Sequence, residues 1–329
     1  MKPAADSPSA NQAEIVEDLP IGGQAVIEGV MMRVPGRIVT AVRAPDGRIV
    51  VRDEAYMPIT RRYRLLGIPV VRGAVSFFEM MVIGMRALSF SADVAMEGED
   101  EARPRTRATE WKEKLALAAT LVLSLALGIG VFFLVPLAIS QLLHLQRNAL
   151  LFNVAAGAVR VVLLLTYMAA ISRWGEIRRV FAYHGAEHKS IFAREAGALL
   201  TVDGARPWPR FHPRCGTSFM LIVVLIAIAV FAVVDSLFPV VVGHPQSLVE
   251  RFLTHVALLP LVGGVGFELL KLSGRKRHHP LARWLMAPGL WLQRLTTCEP
   301  DDSQLEVALA ALRSALGEVV PGVVPAASL

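Results

Sequence analysis

Four long apolar stretches dominate the pattern of hydrophobic and polar positions along the chain. The first covers 115–143 and contains no charged residue, and three more follow at 149–172, 217–239 and 252–270. About 20 consecutive apolar residues cross the hydrocarbon core of a bilayer as a helix, and only internally hydrogen-bonded segments can do so. The pattern therefore predicts a membrane protein, mainly α-helical, with transmembrane spans one and two in 115–172 and spans three and four in 217–271.

The N-terminal region has a different pattern. Residues 1–20 are rich in Pro, Ser, Ala and acidic residues and lack the apolar centre of a signal peptide, so we expect a disordered tail. In 21–60, β-branched residues flank Pro45, Asp46 and Gly47, which is the composition of a hairpin with a glycine-containing turn. This segment is predicted to form a small β unit on the cytoplasmic side.

The segment before the first span is apolar but periodically charged. Within 61–92, Arg72, Glu79 and Arg86 recur at seven-residue spacing. Seven residues are close to two helical turns, so these charges share one stripe of a helix. The pattern predicts an amphipathic helix at the membrane interface, and a fifth crossing by 68–92 is the alternative.

Two further segments are polar or mixed. Residues 93–114 are charged and are predicted to form a linker before the first span. The final segment, 272–329, mixes Trp and Arg as interfacial segments do, and continues in a helix predicted to open with a capping box from Ser303 to Glu306. The apolar stripe of that helix predicts docking on the cytoplasmic body or on a membrane-protein partner.

Composition and charge agree with a membrane protein and indicate its orientation. The chain is 54% hydrophobic, and its charged fraction of 19% is below the value of soluble domains. The connection 141–148 has one Lys or Arg and 240–250 has none, whereas 173–216 has eight. Because cytoplasmic loops carry the excess of positive charge, both termini and 173–216 are predicted to lie on the cytoplasmic side of the membrane. The net charge of +6 is then a signature of topology, with the lipid bilayer as partner and no nucleic acid.

The predicted cytoplasmic loop, 173–216, contains the stretch FAYHGAEHKSIF. On a helix, His184 and His188 are one turn apart and share a face, with about 6 Å between their Cβ atoms. Glu187 lies at the edge of that face. The H-x-x-E-H arrangement is the inverted form of the zincin motif, in which two histidines bind a metal ion and the glutamate is the general base.

A second pair of metal-ligating residues, His212 and Cys215, follows in the stretch RFHPRCGTSF, just before the third span. Together with the two helical histidines, they supply the tetrahedral ligand set of zinc or of another divalent transition metal. With four ligands such a site is closed and structural, whereas with three it keeps a position for water. A cysteine nucleophile activated by a histidine, without any metal, is the remaining alternative.

Five polar residues elsewhere are accessory candidates. Gln24 and Glu28 lie in the glycine-containing stretch GGQAVIEG, where close backbone approach and an ordinary solvated strand are both open. Arg160 is a cation in the middle of a span, which requires a partner unless its side chain reaches outward. Arg214 is a candidate for contact with a lipid phosphate. Glu268 is either a partner for Arg160 or a carboxylate that faces the His/Cys site.

Four stretches in order, IGGQAVIEGVMMR, YHGAEHK, RFHPRCGTSF and APGLWLQRLTTCEPDD, resemble the YqhQ-like family of bacterial membrane proteins. The resemblance covers 21–316 and implies a multi-pass protein with these motifs on the cytoplasmic side, of a family of unknown function described as predicted metal-dependent enzymes. The positions that it implicates are Gln24, Glu28, His184, Glu187, His188, His212, Arg214 and Cys215. In the last motif Cys298 stands where the family pattern has an arginine, so we expect Cys298 to be incidental.

These patterns predict a polytopic membrane protein with a zinc-type site at its cytoplasmic face. We expect a metal-dependent hydrolase of a membrane-associated lipid or peptide, with His184, His188 and either His212 or Cys215 as metal ligands. Glu187 is the predicted general base. The alternative is a non-catalytic membrane-biogenesis or scaffold protein, in which the same residues hold a structural metal.

Overall fold

The computed structural model describes residues 20–96, 107–275 and 280–326 of the chain. Nearly all of the predicted N-terminal tail, 1–20, and the central part of the predicted linker lie outside these residues. Within them the protein is mainly helical and carries one small sheet near its N-terminus, which confirms the coarse fold expected from the sequence.

The sheet has five strands in the order in which they occur along the chain. The first four form antiparallel hairpins, and the fifth, from the C-terminal region, pairs in parallel with the fourth. The predicted turn lies between the third and fourth strands, where Gly47 has a φ of +87° that favours glycine. The strands are β1 Gly22–Val26, β2 Gly29–Val34, β3 Arg37–Arg43, β4 Ile49–Ala55 and β5 Val323–Pro325.

Long helices make up most of the remaining structure. Short helical turns at Ile59–Arg62, Arg64–Gly67 and Val202–Ala205 connect some of the larger elements. A π-helical turn at Gly130–Leu134 joins the second and third helices into one continuous segment. The helices are α1 Val71–Ala95, α2 Arg107–Ile129, α3 Val135–Leu142, α4 Ala149–Ile171, α5 Gly175–Glu195, α6 Gly216–Val242, α7 Leu248–Ala257, α8 Leu259–Arg275, α9 Pro280–Thr296 and α10 Asp302–Ala315.

Four helical segments of the described residues are long and apolar enough to cross a membrane: Val71–Ala95, Ala118–Leu142, Ala149–Ile171 and Met220–Val242. The last three correspond to the first three predicted spans. The predicted fourth span, 252–270, corresponds to two helices, α7 and α8, which together are apolar and long enough for one crossing and have a 45° bend between them. Pro260 explains the break, because proline has no N–H to donate to the carbonyl four residues earlier.

Helix α1 is the fourth membrane-length segment, and it lies where the sequence predicts an amphipathic or interfacial helix, with a crossing by 68–92 as the alternative. One of its faces packs on the sheet and, near Gly73, on Gly264 of α8, where a Cβ on Gly73 would lie 2.5 Å from the Gly264 carbonyl oxygen. The other face leaves large apolar side chains exposed: Phe77, Phe78, Met81, Val82, Met85 and Leu88. The length and composition of α1 therefore permit a membrane crossing. Its contact with the sheet, however, extends along the helix to Val94.

Both faces of the sheet are buried, because apolar residues alternate along the strands and each set meets a different helix. One set, which includes Met31 and Val42, packs against α1. The opposite set, which includes Val30 and Val39, packs against α10 and against α5, which contributes Tyr183. The apolar stripe of α10 is therefore covered by the chain itself. This packing attaches the histidine-bearing helix α5 to a rigid sheet.

Two predicted boundaries near the ends of helices differ from the structure. Residues 107–114 of the predicted linker are the first turns of α2. Helix α10 is opened by a capping box of Asp301 and Gln304, two residues before the predicted one. Asp301 accepts from the Gln304 amide, and the Gln304 side chain accepts from the Asp301 amide. The Ser303 hydroxyl instead donates a hydrogen bond to the Asp301 carboxylate.

Candidate metal centre

Helix α5 places two histidine rings side by side, as the i,i+4 spacing predicts. The ring centroids of His184 and His188 are 4.4 Å apart. His184 Nδ1 lies 2.8 Å from the Thr296 carbonyl oxygen, and His188 Nδ1 lies 2.5 Å from the Arg210 carbonyl oxygen. A carbonyl only accepts, so Nδ1 is the protonated nitrogen of both rings. Both Nε2 atoms therefore carry a lone pair that is available to a metal ion.

Cys215, which directly precedes α6, brings a third donor to these nitrogens. Its Sγ lies 3.1 Å from His184 Nε2, and the three potential ligand atoms of His184, His188 and Cys215 are all within 4.8 Å of one another. His188 Nε2 is buried and has no hydrogen-bond partner among the described residues. A thiolate with two imidazole nitrogens is a donor set that suits zinc and related divalent ions. The cluster therefore fits the metal expected from the sequence.

Gln293 of α9 holds the turn that carries Cys215. Its side-chain oxygen accepts from the His212 amide at 2.8 Å, and its side-chain nitrogen donates to the His212 carbonyl at 2.8 Å. Both contacts are buried, so the amide side chain acts as a clamp on the backbone of this turn. Sequence reasoning missed Gln293 as well as the Thr296 carbonyl, because neither has a spacing that relates it to the histidines.

His212 is buried beside the cluster but lies outside the group of three. Its Nδ1 accepts from the Arg214 amide at 3.3 Å, and its Nε2 lies 3.5 Å from Glu195 Oε1. The edge of its ring packs on Phe192, with centroids 4.5 Å apart. Arg214, a predicted accessory residue, forms an ion pair with the same Glu195 carboxylate. The geometry thus gives His212 a supporting position next to the three convergent donors.

Burial of His212 predicts a dependence of stability on pH. Desolvation lowers the pKa of His212 from 6.5 to about 4. Between these values the unfolded chain binds a proton that the folded chain does not, so the stability present above pH 6.5 is lost as the pH falls toward 4. A shift of this size corresponds to about 3 kcal/mol. We expect the melting temperature to fall less between pH 7 and 5 in His212→Gln than in the unmodified protein.

Exposed His244 offers the matched control for this measurement. His244→Gln should keep the full dependence of the unmodified protein, because this substitution removes an exposed ring and leaves the buried ring of His212 in place. Equal pH dependence of the melting temperature in the unmodified protein and in His212→Gln would show that this ring does not supply the effect.

Glu187 lies in the wall of the same cavity and is almost completely buried. The cavity has a volume of about 350 Å³ and is also lined by Gln24, His184, His188 and Cys215. Desolvation raises the pKa of Glu187 to about 8, with a smaller lowering effect from His184 and a raising effect from Cys215. Glu187 Oε2 has no hydrogen-bond partner among the described residues. Its carboxyl is therefore poised to gain or lose a proton near neutral pH.

Strand β1 closes over this carboxyl at Gly23, because only a glycine leaves enough room. A Cβ at this position would lie 2.7 Å from the Met31 carbonyl oxygen and 2.8 Å from Glu187 Cδ. We expect Gly23→Ala to destabilise the protein by about 2 kcal/mol, because one of these contacts is rigid backbone. Gly22→Ala is the control, since nothing lies within 4 Å of its Cβ. Thermal unfolding measures both variants, and equal melting temperatures would contradict the proposed close contact.

The remaining predicted accessory residues are held in separate contacts. Glu28 pairs with Arg179 of α5, with Oε1 2.6 Å from Arg179 Nε, and its other oxygen is 3.3 Å from the Tyr183 hydroxyl. Glu268 forms a two-bond ion pair with Arg72 of α1 at 2.6 and 2.5 Å. Its partner is therefore on α1. These two pairs attach α5 to the sheet and α1 to α8.

Arg160 and Cys298 also lie outside the cluster of donors. Arg160 is buried between α4 and neighbouring helices, where its Nε donates to the Phe132 carbonyl at 3.2 Å. Cys298 contacts α5 through its backbone, because its amide donates a hydrogen bond to the Phe181 carbonyl at 2.8 Å. A Cβ on Gly185 would lie close to the Cys298 carbonyl, so this connection passes directly over α5. The Cys298 thiol is not part of the group formed by His184, His188 and Cys215.

Comparison with known proteins gives a family for the chain. Residues 68–318 match the model described as "Protein of unknown function (DUF1385)". The chain belongs to the DUF1385 family. It is also 36% identical over 308 residues to the "Uncharacterized protein YqhQ" of Bacillus subtilis (strain 168), a match that covers 90% of this chain and 92% of the relative. No solved structure matches the chain. The family resemblance noted in the four sequence motifs is thereby confirmed, and it brings no described activity.

Proposed function

We propose that this DUF1385 protein is a multi-pass protein of the bacterial inner membrane with a metal-dependent hydrolytic site at the cytoplasmic face. The membrane-length helices and the excess of Lys and Arg in 173–216 support this placement. In this orientation α7 and α8 form the fourth crossing as a bent pair and α1 lies along the membrane surface, so both termini, the sheet and the His/Cys cluster are cytoplasmic. The two short connections, 141–148 and 240–250, are on the opposite side.

The convergence of three donor atoms carries the proposal. His184 and His188 use their Nδ1 protons on backbone carbonyls, and their remaining nitrogens approach the Cys215 sulfur. Two imidazoles and one thiolate make three protein ligands, which is the number that catalytic zinc sites use while they keep a fourth position open. A closed structural site would use four protein ligands, and His212 is turned toward Glu195. The three-ligand arrangement therefore favours a catalytic role.

Glu187 supplies the proton transfers in the proposed reaction. A bound zinc-type ion would contribute Lewis-acid chemistry and would activate water for attack at a carbonyl or phosphoryl centre. The Glu187 carboxylate accepts the proton of the attacking water and returns it to the leaving group. A pKa raised to about 8 by burial suits the second of these transfers.

The substrate class follows from the surroundings of the cavity. The cavity lies between strand β1, helix α5 and the first residues of α6, which is the third predicted span. On the far side of the sheet, α1 exposes a continuous apolar face that includes Phe78, Met81 and Met85. Such a face suits contact with the bilayer. We therefore propose a membrane-associated lipid or peptide as substrate, reached at the membrane surface.

A structural metal is the second candidate, and one observation favours it. The cluster joins α5 to the start of α6, so an ion at this place would attach the cytoplasmic sheet and its helix to the bundle. In that role the ion would stabilise the fold without turnover. The protein would then act as a membrane-biogenesis or scaffold component.

Isotope labelling distinguishes the two candidates. Purified full-length protein in lipid nanodiscs is incubated with bacterial lipid extract and with membrane peptides in H2¹⁸O, and the products are analysed by mass spectrometry. We expect a product with one ¹⁸O in metal-loaded protein, its loss after chelation, and its return when zinc is added. If chelation unfolds the protein and no labelled product forms in any sample, the structural role is correct and the hydrolase is not.

A further inference from the structure

A second buried polar cluster lies inside the helix bundle, away from the His/Cys cluster. It consists of Asn153 and Arg160 of α4, Asp235 of α6, and Arg251 and His255 of α7, and none of these residues is more than 6% exposed. Asp235 is 20 residues beyond Cys215 on the same helical segment, which corresponds to about 30 Å at 1.5 Å per residue. The cluster is therefore close to the opposite end of the bundle. Ionisable residues at such depth are functional candidates.

The Asp235 carboxylate is fully used within this cluster. Asn153 Nδ2 donates to it at 2.8 Å, and His255 Nε2 donates to it at 3.1 Å. Arg251 Nε lies 3.3 Å from its second oxygen, while the Arg251 guanidinium rests on the ring of Phe152 at 3.9 Å. Arg251 therefore already neutralises the charge of Asp235. This leaves Asp235 with little capacity for a further cation.

Arg160 is the component that has unused binding capacity. Its Nε donates to a backbone carbonyl, and the rings of Phe133 and Phe231 lie 5.2 and 5.5 Å from its guanidinium carbon. Its two terminal nitrogens, Nη1 and Nη2, are buried and have no hydrogen-bond partner among the described residues. Aromatic faces thus contact the guanidinium, while its two terminal nitrogens, which form a fork of hydrogen-bond donors, have no acceptor among the described residues. Such a fork is the geometry that binds an anion through two parallel hydrogen bonds.

The charges of the cluster also require an anion. With His255 neutral, two guanidinium groups accompany one carboxylate, which leaves one positive charge in a medium of low dielectric constant. An uncompensated buried charge is costly in such surroundings, and cation–π contacts offset only part of the cost. A counter-ion at the free fork would remove both the charge imbalance and the two unpaired donors.

We propose that Arg160 is the centre of an anion-binding site within the bundle, for a monovalent anion of halide or acetate size. A cavity of about 70 Å³ at the end of the bundle with the two short connections is lined by Gln141, Phe152, Gln246 and Arg251, so it reaches the cluster at Arg251. Because both terminal nitrogens of Arg160 are buried, only a small anion would fit beside them. The site shares no residue with the His/Cys cluster and does not depend on the hydrolase proposal.

The direct test is an anion titration of full-length protein in detergent at constant ionic strength, in which sodium chloride or bromide replaces sodium gluconate. We expect the melting temperature to rise and to saturate, and bound chloride to broaden the ³⁵Cl NMR line. A linear response of similar slope for all salts, without saturation, would overturn the proposal even if no variant could be prepared.

Two variants with opposite expected effects locate the site. Arg160→Gln should weaken chloride binding at least about 10-fold, because it removes the charge and the donor fork. Asp235→Asn should strengthen binding at least about 3-fold, because it removes a nearby negative charge. Arg173→Gln is the matched control, since Arg173 is exposed beyond the end of the same helix. Weaker or unchanged binding in folded Asp235→Asn would exclude Arg160 as the centre of the site.

Discussion

Replacing Cys215 by serine is expected to weaken zinc binding by more than about 100-fold. Loss of a residue that only orients a ligand costs about 10- to 100-fold in metal affinity, and loss of a ligand itself costs more. The serine hydroxyl is a poor donor for zinc at neutral pH, and only His184 and His188 of the convergent group would remain. Competition with a chromophoric chelator measures the affinity, and elemental analysis measures the metal content.

Cys298→Ser is the matched control for this experiment. Cys298 is half-buried and outside the group of convergent donors, and its described contact with α5 uses the backbone. We expect its zinc affinity and melting temperature to equal those of the unmodified protein. If both cysteine variants lose the metal to the same extent, or if neither does, Cys215 is not a specific ligand.

Glu187→Gln is expected to keep the metal and to lose about 10²- to 10⁴-fold in turnover, which is the usual contribution of a positioned acid or base. Gln has nearly the same size and shape, so it fills the same buried space, but its amide cannot accept and return a proton. We therefore expect the zinc content and the melting temperature to remain unchanged. The ¹⁸O incorporation assay measures the turnover of the variant.

The control for this second experiment is Glu176→Gln, which changes an exposed glutamate in the first turn of the same helix. It should keep both metal and turnover. Full turnover in Glu187→Gln would exclude Glu187 as the acid or base. Loss of metal in the same variant would instead assign the carboxylate to the ligand set.

The parts of the site that the sequence predicts are those with local spacing. Four residues make one helical turn, so the proximity of His184 and His188 follows directly from their numbers. Much of the fold can be predicted in the same way, because the long apolar runs and the turn at Gly47 are also local signals in the sequence. Three of the four predicted spans and the hairpin appear at the expected positions.

The rest depends on contacts between residues that are distant along the chain. Gln293 clamps His212 from 81 residues away, and the Arg72 partner of Glu268 is 196 residues away. No periodicity relates such residues to one another. The orientation of His212 also depends on a tertiary contact, with the Glu195 carboxylate, in addition to the hydrogen bond from the nearby Arg214 amide. The parallel pairing of β5 with β4 brings a C-terminal strand to an N-terminal sheet for similar reasons.

The bend in the fourth predicted span could have been predicted from the sequence alone. The apolar run 252–270 has enough hydrophobic residues for a span, but Pro260 lies in its interior and breaks the hydrogen-bond ladder between α7 and α8. Hydrophobicity alone does not register this break. The same region supplies Arg251 and His255 to the buried cluster in the bundle.

X-ray absorption at the zinc edge on purified, metal-loaded full-length protein tests the central claim most directly, because it counts the donors around the ion. We predict one zinc per chain with one sulfur at about 2.3 Å and at least two nitrogens at about 2.0 to 2.1 Å, and loss of the sulfur signal in Cys215→Ser. A chain that binds no zinc, or a spectrum without sulfur in the unmodified protein, would contradict the account.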